Sequence, residues 1–280
     1  MTVTRIAYVT AAGVASSDDH DTDLPLVQAA ATARNIDLDV VIWDDPSVEW
    51  SNYSGAVIRS TWDYVEKYSH FLGWLKHVDR QTVLLNPRPM VEQNLDKIYL
   101  RELDLPIVPT RWIESSGDLA LIDAITAQWI VIKPTVSAGA RDTIRTKDRS
   151  VAKAHAQLVL DSGRTVMAQP YLDAVDTAGE ISVVCIDGHP SWAVRKIPAL
   201  TEGGHGGGKE AVELTDELSA AAMRALARVP DSLYARVDLV EHDGELLLME
   251  LELAEPSLFI PLAPTDAADR LISAILTRLD

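Results

Sequence analysis

The pattern with the most chemistry in this sequence is a set of three carboxylates and an arginine on two apolar runs. The runs are Leu233–Val240 and Glu245–Leu253, which read as the two strands of a hairpin. Glu250 and Glu252 are two residues apart, so on a strand both point to one face. Asp238 joins them only in the right register. A two-residue turn at Asp243-Gly244 pairs residue 237 with 250 and turns Asp238 away. A three-residue loop, His242-Asp243-Gly244 with Gly244 left-handed, pairs 236 with 250 and gathers Arg236, Asp238, Glu250 and Glu252 on one face. The three-residue register is the expected one. Such a set suits a hard cation: Mg²⁺ takes a few carboxylates and completes its shell with water and phosphate oxygens. A water-facing strand with solvated charges is the plain alternative, and the apolar character of both runs argues against it.

Two further runs fit nucleotide chemistry. Trp129-Ile-Val-Ile-Lys133-Pro134 ends a buried strand on a lysine, next to the small-residue turn Ser137–Ala140. A lysine there either snorkels to solvent or holds a phosphate. Met167-Ala-Gln-Pro-Tyr-Leu172 has the look of a strand edge whose free backbone groups can pair with a purine. Common alternatives are missing. Gly203 and Gly208-Lys209 have P-loop spacing, but Glu210 stands where the Mg²⁺-binding hydroxyl belongs. No Gly-x-Gly-x-x-Gly follows the first strand, and neither a Gly-x-Ser-x-Gly elbow nor a His-Glu-x-x-His pair occurs.

The elements that must position these residues alternate at first. Arg5–Thr10, Leu38–Trp43, Ala56–Ser60 and Thr82–Leu85 read as strands, and Asp23–Asn35 and Lys67–Asp79 as helices. This argues for a parallel sheet covered on both faces, with ligands beyond the strands' carboxyl ends. Arg59 at such an end is either a plain surface residue or suited to a substrate carboxylate. After Asn86-Pro-Arg-Pro89, a helix is expected over Met90–Leu103, a strand over Trp129–Lys133, a helix over Asp148–Asp161 and a strand over Thr165–Leu172. Glu180–Ile186 and Ser191–Ile197 flank Asp187-Gly188, a strong hairpin signal. Thr201–Lys209 is a Gly-rich loop, and Asp216–Arg228 and Asp266–Leu279 read as helices.

Composition sets outer limits. The 280 residues carry 25 Lys+Arg against 42 Asp+Glu, a formal net charge of −17. A chain this acidic repels nucleic acid and anionic membranes, and no basic cluster offsets it. The single cysteine, Cys185, excludes an internal disulfide and reads as a buried core residue. No apolar run approaches a membrane span. Within Thr4–Ala15, a first strand over Arg5–Thr10 is the reading preferred to a weak signal peptide, so a cytoplasmic protein is expected.

In order along the chain, these pieces resemble the ATP-grasp ligases. The carriers are Asn94-Leu-Asp-Lys97, Ile132-Lys133-Pro134, Ser137–Ala140, Met167–Leu172, Glu180, Lys196-Ile-Pro198, the Gly loop, Arg236-Val-Asp238 and Glu250-Leu-Glu252. The run Met167–Ile260 is similar to bacterial glutathione synthetase. The resemblance implies an α/β and α+β architecture in three units. These are a parallel N-terminal domain over residues 1–90, a small central domain over 91–165, and a C-terminal ATP-grasp domain over 166–280 with the metal site.

The resemblance assigns Lys97, Lys133 and Ser137 to the nucleotide phosphates and Gln169, Tyr171 and Leu172 to the adenine. It assigns Glu180 to the ribose, and Asp238, Glu250 and Glu252 to two Mg²⁺. Lys196 and Arg236 would stabilise charge on the transferring phosphoryl group. The Gly loop would close over the site. Departures stand out: Glu252 replaces the Asn of many relatives, and Ser182 replaces an Arg. Arg59-Ser60-Thr61-Trp62-Asp-Tyr64 and Glu255-Pro-Ser257-Leu-Phe-Ile260 resemble the O-ureido-serine cyclo-ligases. That makes Arg59, Ser60, Thr61, Trp62 and Ser257 candidate substrate residues. The implied reaction is ATP-dependent closure of O-ureido-D-serine to D-cycloserine, with self-association a feature of many relatives. An intermolecular amino-acid ligase and a non-catalytic nucleotide-binding protein stay open.

Overall fold

The computed structural model describes residues 4–14, 21–196 and 208–280. The first strands are β1 (Arg5–Thr10), β2 (Asp37–Ile42), β3 (Gly55–Ser60) and β4 (Val83–Leu85), with helices α1 (Leu24–Ala33) and α2 (Tyr68–Val78) between them. They form a parallel sheet in the order β2-β1-β3-β4. Strand order reverses between β1 and β3, so the crevice beyond their carboxyl ends is the natural ligand site. The central strands β1 and β3 are mostly apolar and buried because both faces are covered, whereas the edge strand β2 carries Asp37 and Asp39 and is largely open to solvent. Ile6, Tyr8 and Val57 pack towards α1, whereas Val9 and Ile58 pack towards Phe71, Trp74 and Leu75 of α2.

The predicted helix over Met90–Leu103 is broken. A short helix α3 (Arg88–Asn94) ends at Leu95, and a 3₁₀ turn spans Lys97–Glu102. Asp96 causes the break: its backbone is extended, and its carboxylate accepts the Ile98 N–H at 3.0 Å. The interruption lets the Lys97 N–H reach the Thr135 carbonyl at 3.0 Å.

The central sheet is antiparallel, in the order β5-β8-β6-β7. Its strands are β5 (Arg111–Ile113), β6 (Ile130–Pro134), β7 (Ile144–Thr146) and β8 (Val166–Pro170), with α4 (Arg149–Asp161) across one face. β8 therefore pairs inside this sheet, although it lies beyond the expected division at residue 165. The strand stops at Pro170, two residues short of the expected Leu172, although the Tyr171 N–H still reaches the Trp129 carbonyl at 2.9 Å.

After the short helix α5 (Ala174–Thr177), a second antiparallel sheet follows. It comprises β9 (Glu180–Ile186), β10 (His189–Lys196), β11 (Lys209–Val212), β12 (Tyr234–His242) and β13 (Glu245–Glu252), with α6 (Asp216–Leu226) between β11 and β12. Its order is β11-β10-β9-β12-β13. The last helix, α7 (Ala267–Leu279), returns to the first domain. Leu271 and Ile275 join α1, the parallel sheet and Val184, Trp192 and Tyr234 in one core. The parallel sheet is thereby fastened to the sheet that carries the carboxylates.

Candidate active site

The carboxylates do converge, by a different device from the one expected. His242 pairs with Glu245, so the turn has two residues, Asp243 and Gly244, both at positive φ. The expected three-residue loop is therefore wrong. Farther down, the register shifts between Asp238 and Leu239, leaving Met249 as an extra residue on β13. This bulge pairs Asp238 with Glu250 and Arg236 with Glu252. Oxygens of Asp238, Glu250 and Glu252 lie within 4.8 Å of one another.

Basic groups surround them. The Arg236 guanidinium grips Asp238 at 2.8 Å and also pairs with Glu252. Lys196 pairs with Asp238 at 3.2 Å and with Glu180, its cross-strand neighbour. The Ser182 hydroxyl donates to Asp238 at 2.6 Å. Burial alone would raise Asp238, but Arg236 and Lys196 outweigh it and hold the carboxyl well below its usual range. Glu252 behaves oppositely: burial, with Glu250 and Asp238 as like charges, pushes it up to about 8 despite Arg236. Glu255 is pushed up to about 7 by burial and Glu250, against the pull of Lys97. Glu180 is raised by burial, with Asp238 adding to it and Lys196 opposing.

Two lysines approach from the central unit. Lys97 donates to the Ser137 carbonyl at 2.8 Å and pairs with Glu250 at 3.0 Å. Lys133 makes no ion pair among the described residues. Its amine is held below its ordinary value by burial and by the like charge of Lys97, against Glu250. On β6 the alternation places Trp129, Val131 and Lys133 on the face away from α4, and Gln169 of β8 pairs with Val131. Gln169 is buried and donates to the Thr110 hydroxyl at 2.8 Å. Tyr171 and Leu172 form an apolar lining with Trp129, Val131, Val240 and Met249. The Tyr171 N–H donates to the Trp129 carbonyl, and Arg145 lies 3.6 Å over its ring. Val131 and Met249 were missed in the sequence reading. Period-two alternation ending on Lys133 signals the first; only the bulge reveals the second.

The candidate substrate residues lie at the carboxyl end of β3. Arg59 is 1% exposed, so it is no rim residue. It donates to the Pro256 carbonyl at 2.7 Å and pairs with Asp23 at 3.3 Å. Asp23 also accepts the Leu258 and Ile260 N–H groups, each at 2.7 Å. Ser60 is buried against the Thr10 hydroxyl at 2.8 Å. Thr61 is buried, and its hydroxyl has no hydrogen-bond partner among the described residues. The Trp62 indole donates to the Glu255 carbonyl at 3.2 Å. Ser257 presents its carbonyl to Arg236 at 3.4 Å. Most of the Gly loop Thr201–Lys209 lies outside the described residues; Lys209 opens β11 opposite Lys196.

Two antiparallel sheets with an apolar lining between them, two lysines and a carboxylate triad define an ATP-grasp ligase, an enzyme that forms C–N bonds. The family comparisons agree. The prokaryotic glutathione synthetase ATP-grasp domain matches residues 96–242, and the N-terminal domain of D-cycloserine synthetase DcsG matches residues 6–86. The chain is 32% identical to the cycloserine biosynthesis protein DcsG of Streptomyces lavendulae, over 92% of this chain and 94% of that protein. It superposes on the crystal structure of D-cycloserine synthetase DcsG with a TM-score of 0.89 at 31% identity, covering 99% of this chain and all of that one. The ATP-grasp ligase PsnB, solved with a phosphomimetic precursor variant, Mg and ADP, shares the fold at 18% identity, with a TM-score of 0.67 and 99% of each chain covered. The chain belongs to the DcsG family of ATP-grasp ligases. Among the described residues, no helix is long and apolar enough to cross a membrane.

Proposed function

We propose that this ligase closes O-ureido-D-serine to D-cycloserine at the expense of ATP. The observation that carries the substrate is the likeness to DcsG along nearly the whole chain, including residues 6–86, which match that enzyme's own N-terminal domain. The adenine lies against Val131, Leu172 and Met249, near Gln169 and the backbone of Tyr171. Glu180 takes the ribose. Lys97 and Lys133 hold the phosphates, beside the Ser137 turn. Lys133 suits this role because it is half-buried and makes no ion pair among the described residues.

The donor set fits Mg²⁺. Asp238, Glu250 and Glu252 offer only carboxylate oxygens, all within 4.8 Å, which a small hard cation prefers. Asp238, Glu250 and Glu252 would hold two such ions. Bound there, Mg²⁺ supplies charge neutralisation for the transferring phosphoryl group. Arg236 and Lys196 then turn from the carboxylates to the developing negative charge.

The substrate carboxylate attacks the γ-phosphorus, giving an acyl phosphate and ADP. The ureidooxy nitrogen of the same molecule attacks the acyl carbon, phosphate leaves, and the ring closes. Hydrolysis of the carbamoyl remainder uses one water and releases CO₂ and ammonia. Intramolecular attack needs a folded pose and no second amino-acid pocket. The crevice beyond β1 and β3, bounded by Arg59–Trp62 and the Glu255–Ile260 loop, supplies the walls for that pose.

The test is coupled ADP release with Mg-ATP and O-ureido-D-serine as the sole substrate, with the product identified by mass. ADP formed one-for-one with D-cycloserine supports the reading. A requirement for a second amino acid would replace it with an intermolecular ligase. Glu250→Gln is expected to abolish ADP formation with the fold retained.

A further inference from the structure

β13 is an edge strand, so alternate peptide groups face away from β12 and need partners from elsewhere. Near the metal site these groups belong to Leu251 and Leu253, on either side of Glu252. Side chains from one short segment take all four of them. The Tyr99 hydroxyl accepts the Leu251 N–H at 2.9 Å and donates to its carbonyl at 2.7 Å. The Asn94 carboxamide donates to the same carbonyl at 2.6 Å and accepts the Leu253 N–H at 2.7 Å. Asn86 donates to the Leu253 carbonyl at 2.7 Å. Farther along, Leu248 is held by backbone instead, through Pro106 and Val108.

Asn94 is the central member. It brackets the Glu252 backbone as a neighbouring strand would, with one donor and one acceptor. It also sits three residues before Lys97, whose ammonium pairs with Glu250 at 3.0 Å. Only a carboxamide meets both demands. A carboxylate of the same shape has no donor and sets an oxygen against the Leu251 carbonyl.

We propose that Asn94 is a positioning residue for the metal carboxylates, and that residues 86–99 couple the Lys97 ammonium to Glu250 and Glu252 as one mechanical unit. The inference rests on the reading of Asp238, Glu250 and Glu252 as Mg²⁺ ligands. Groups that orient metal ligands typically change metal affinity by about 10–100-fold when lost.

The experiment titrates the full-length protein with Mn²⁺ and follows free ion by electron paramagnetic resonance, without turnover. Asn94→Asp and Asn94→Ala are expected to weaken Mn²⁺ binding about tenfold or more. In a Glu252→Gln background the same substitutions should add much less, because the effect passes through Glu252. Tyr99→Phe removes the neighbouring grip on Leu251 and should move the affinity the same way; it carries the test if the Asn94 variants fail to fold. Variants that lower melting temperature but bind Mn²⁺ as tightly as wild type would overturn the inference and leave the metal site standing. Wild-type Mn²⁺ binding indifferent to Glu250→Gln would overturn the metal assignment itself, and the inference with it.

Discussion

Ser182 and Asp238 are cross-strand partners on β9 and β12, and the Ser182 hydroxyl donates to the Asp238 carboxylate at 2.6 Å. Both side chains are buried. Here the positive charge around Asp238 comes from Arg236 and Lys196, and Ser182 adds a neutral donor. Ser182→Ala removes that donor but leaves both cations, so it should cost about 1–3 kcal/mol of stability, read from denaturant unfolding. Ser182→Arg forces a third cation into a filled, buried position and should lower ADP formation more than tenfold. An active Ser182→Arg variant would show that the pocket has room the structure does not give it.

The metal-free protein should lose stability as pH rises from about 5 to 8.5. Glu252 and Glu255 are raised from the ordinary 4.5 to about 8 and about 7. Between the unfolded and folded values the native state binds more protons than the unfolded chain, so stability falls with rising pH. Asp238 works in the opposite sense, but only as pH falls below its unfolded value of 3.8. Melting curves in EDTA across this range check the sign. Glu252→Gln should flatten the profile, and Mg²⁺ should shrink the decline by taking the proton's place. A melting temperature that climbs from pH 5 to 8 in EDTA would contradict the buried like-charge cluster.

Lys133 should matter to phosphate binding far more than to folding. Its amine makes no ion pair among the described residues and is held below its ordinary value by burial and by Lys97. An arriving phosphate would relieve both costs. Lys133→Met, which keeps the stem, is expected to raise the KM for ATP at least tenfold while changing stability little or favourably. Calorimetric titration with ADP separates the two effects. Undiminished ADP affinity would remove Lys133 from the phosphate site.

The site was legible in the sequence where it depended on period. Glu250 and Glu252 share a face by period two, and Trp129, Val131 and Lys133 do so for the same reason. The convergence of Asp238 was expected correctly through the wrong device. The bulge at Met249, whose side chain packs with Tyr171 and with Val131 of the other sheet, is signalled by no local pattern. The edge partners of Leu251 and Leu253 were also invisible, because Asn86, Asn94 and Tyr99 lie 152 to 167 residues away from them. The break at Asp96 was missed because the apolar spacing of Met90–Leu103 fits a continuous helix. The parallel sheet was read almost entirely, since short buried strands alternating with helices leave few other arrangements. Arg59 illustrates the limit of local reading: its position at a strand end was right, and its burial depends on loops two hundred residues away.

Buried Cys185 should be inert until the chain unfolds. It lies on β9 between β10 and β12 with no accessible surface, and burial pushes its thiol up to about 12. At pH 8 the thiolate fraction is therefore negligible, and reagent has no path to it. A disulfide-exchange reagent at pH 8 should release no chromophore from native protein and one equivalent in denaturant. The slow native rate should track global unfolding, because β9 lies at the centre of the five-stranded sheet. Rapid native labelling would mean that this sheet opens locally.

Arg59 separates a structural role from a substrate role. Its guanidinium ties β3 to the Pro256 carbonyl and, through Asp23, to the Leu258 and Ile260 N–H groups. Two of its nitrogens, Nε and Nη1, are buried without hydrogen-bond partners among the described residues. Removing the charge strands Asp23, and breaking a buried pair in this way costs about 3–5 kcal/mol. Arg59→Met should therefore destabilise strongly whatever the substrate does. Arg59→Lys keeps the charge but loses the fork, so it isolates recognition. If the free nitrogens meet a substrate carboxylate, Arg59→Lys should raise the KM for the amino-acid substrate tenfold or more while the KM for ATP stays within twofold. Equal changes in both constants would mark Arg59 as a staple of the Glu255–Ile260 loop alone. That loop lends its Ser257 carbonyl to Arg236, so even a purely structural Arg59 would be felt at the phosphoryl group as a lower kcat.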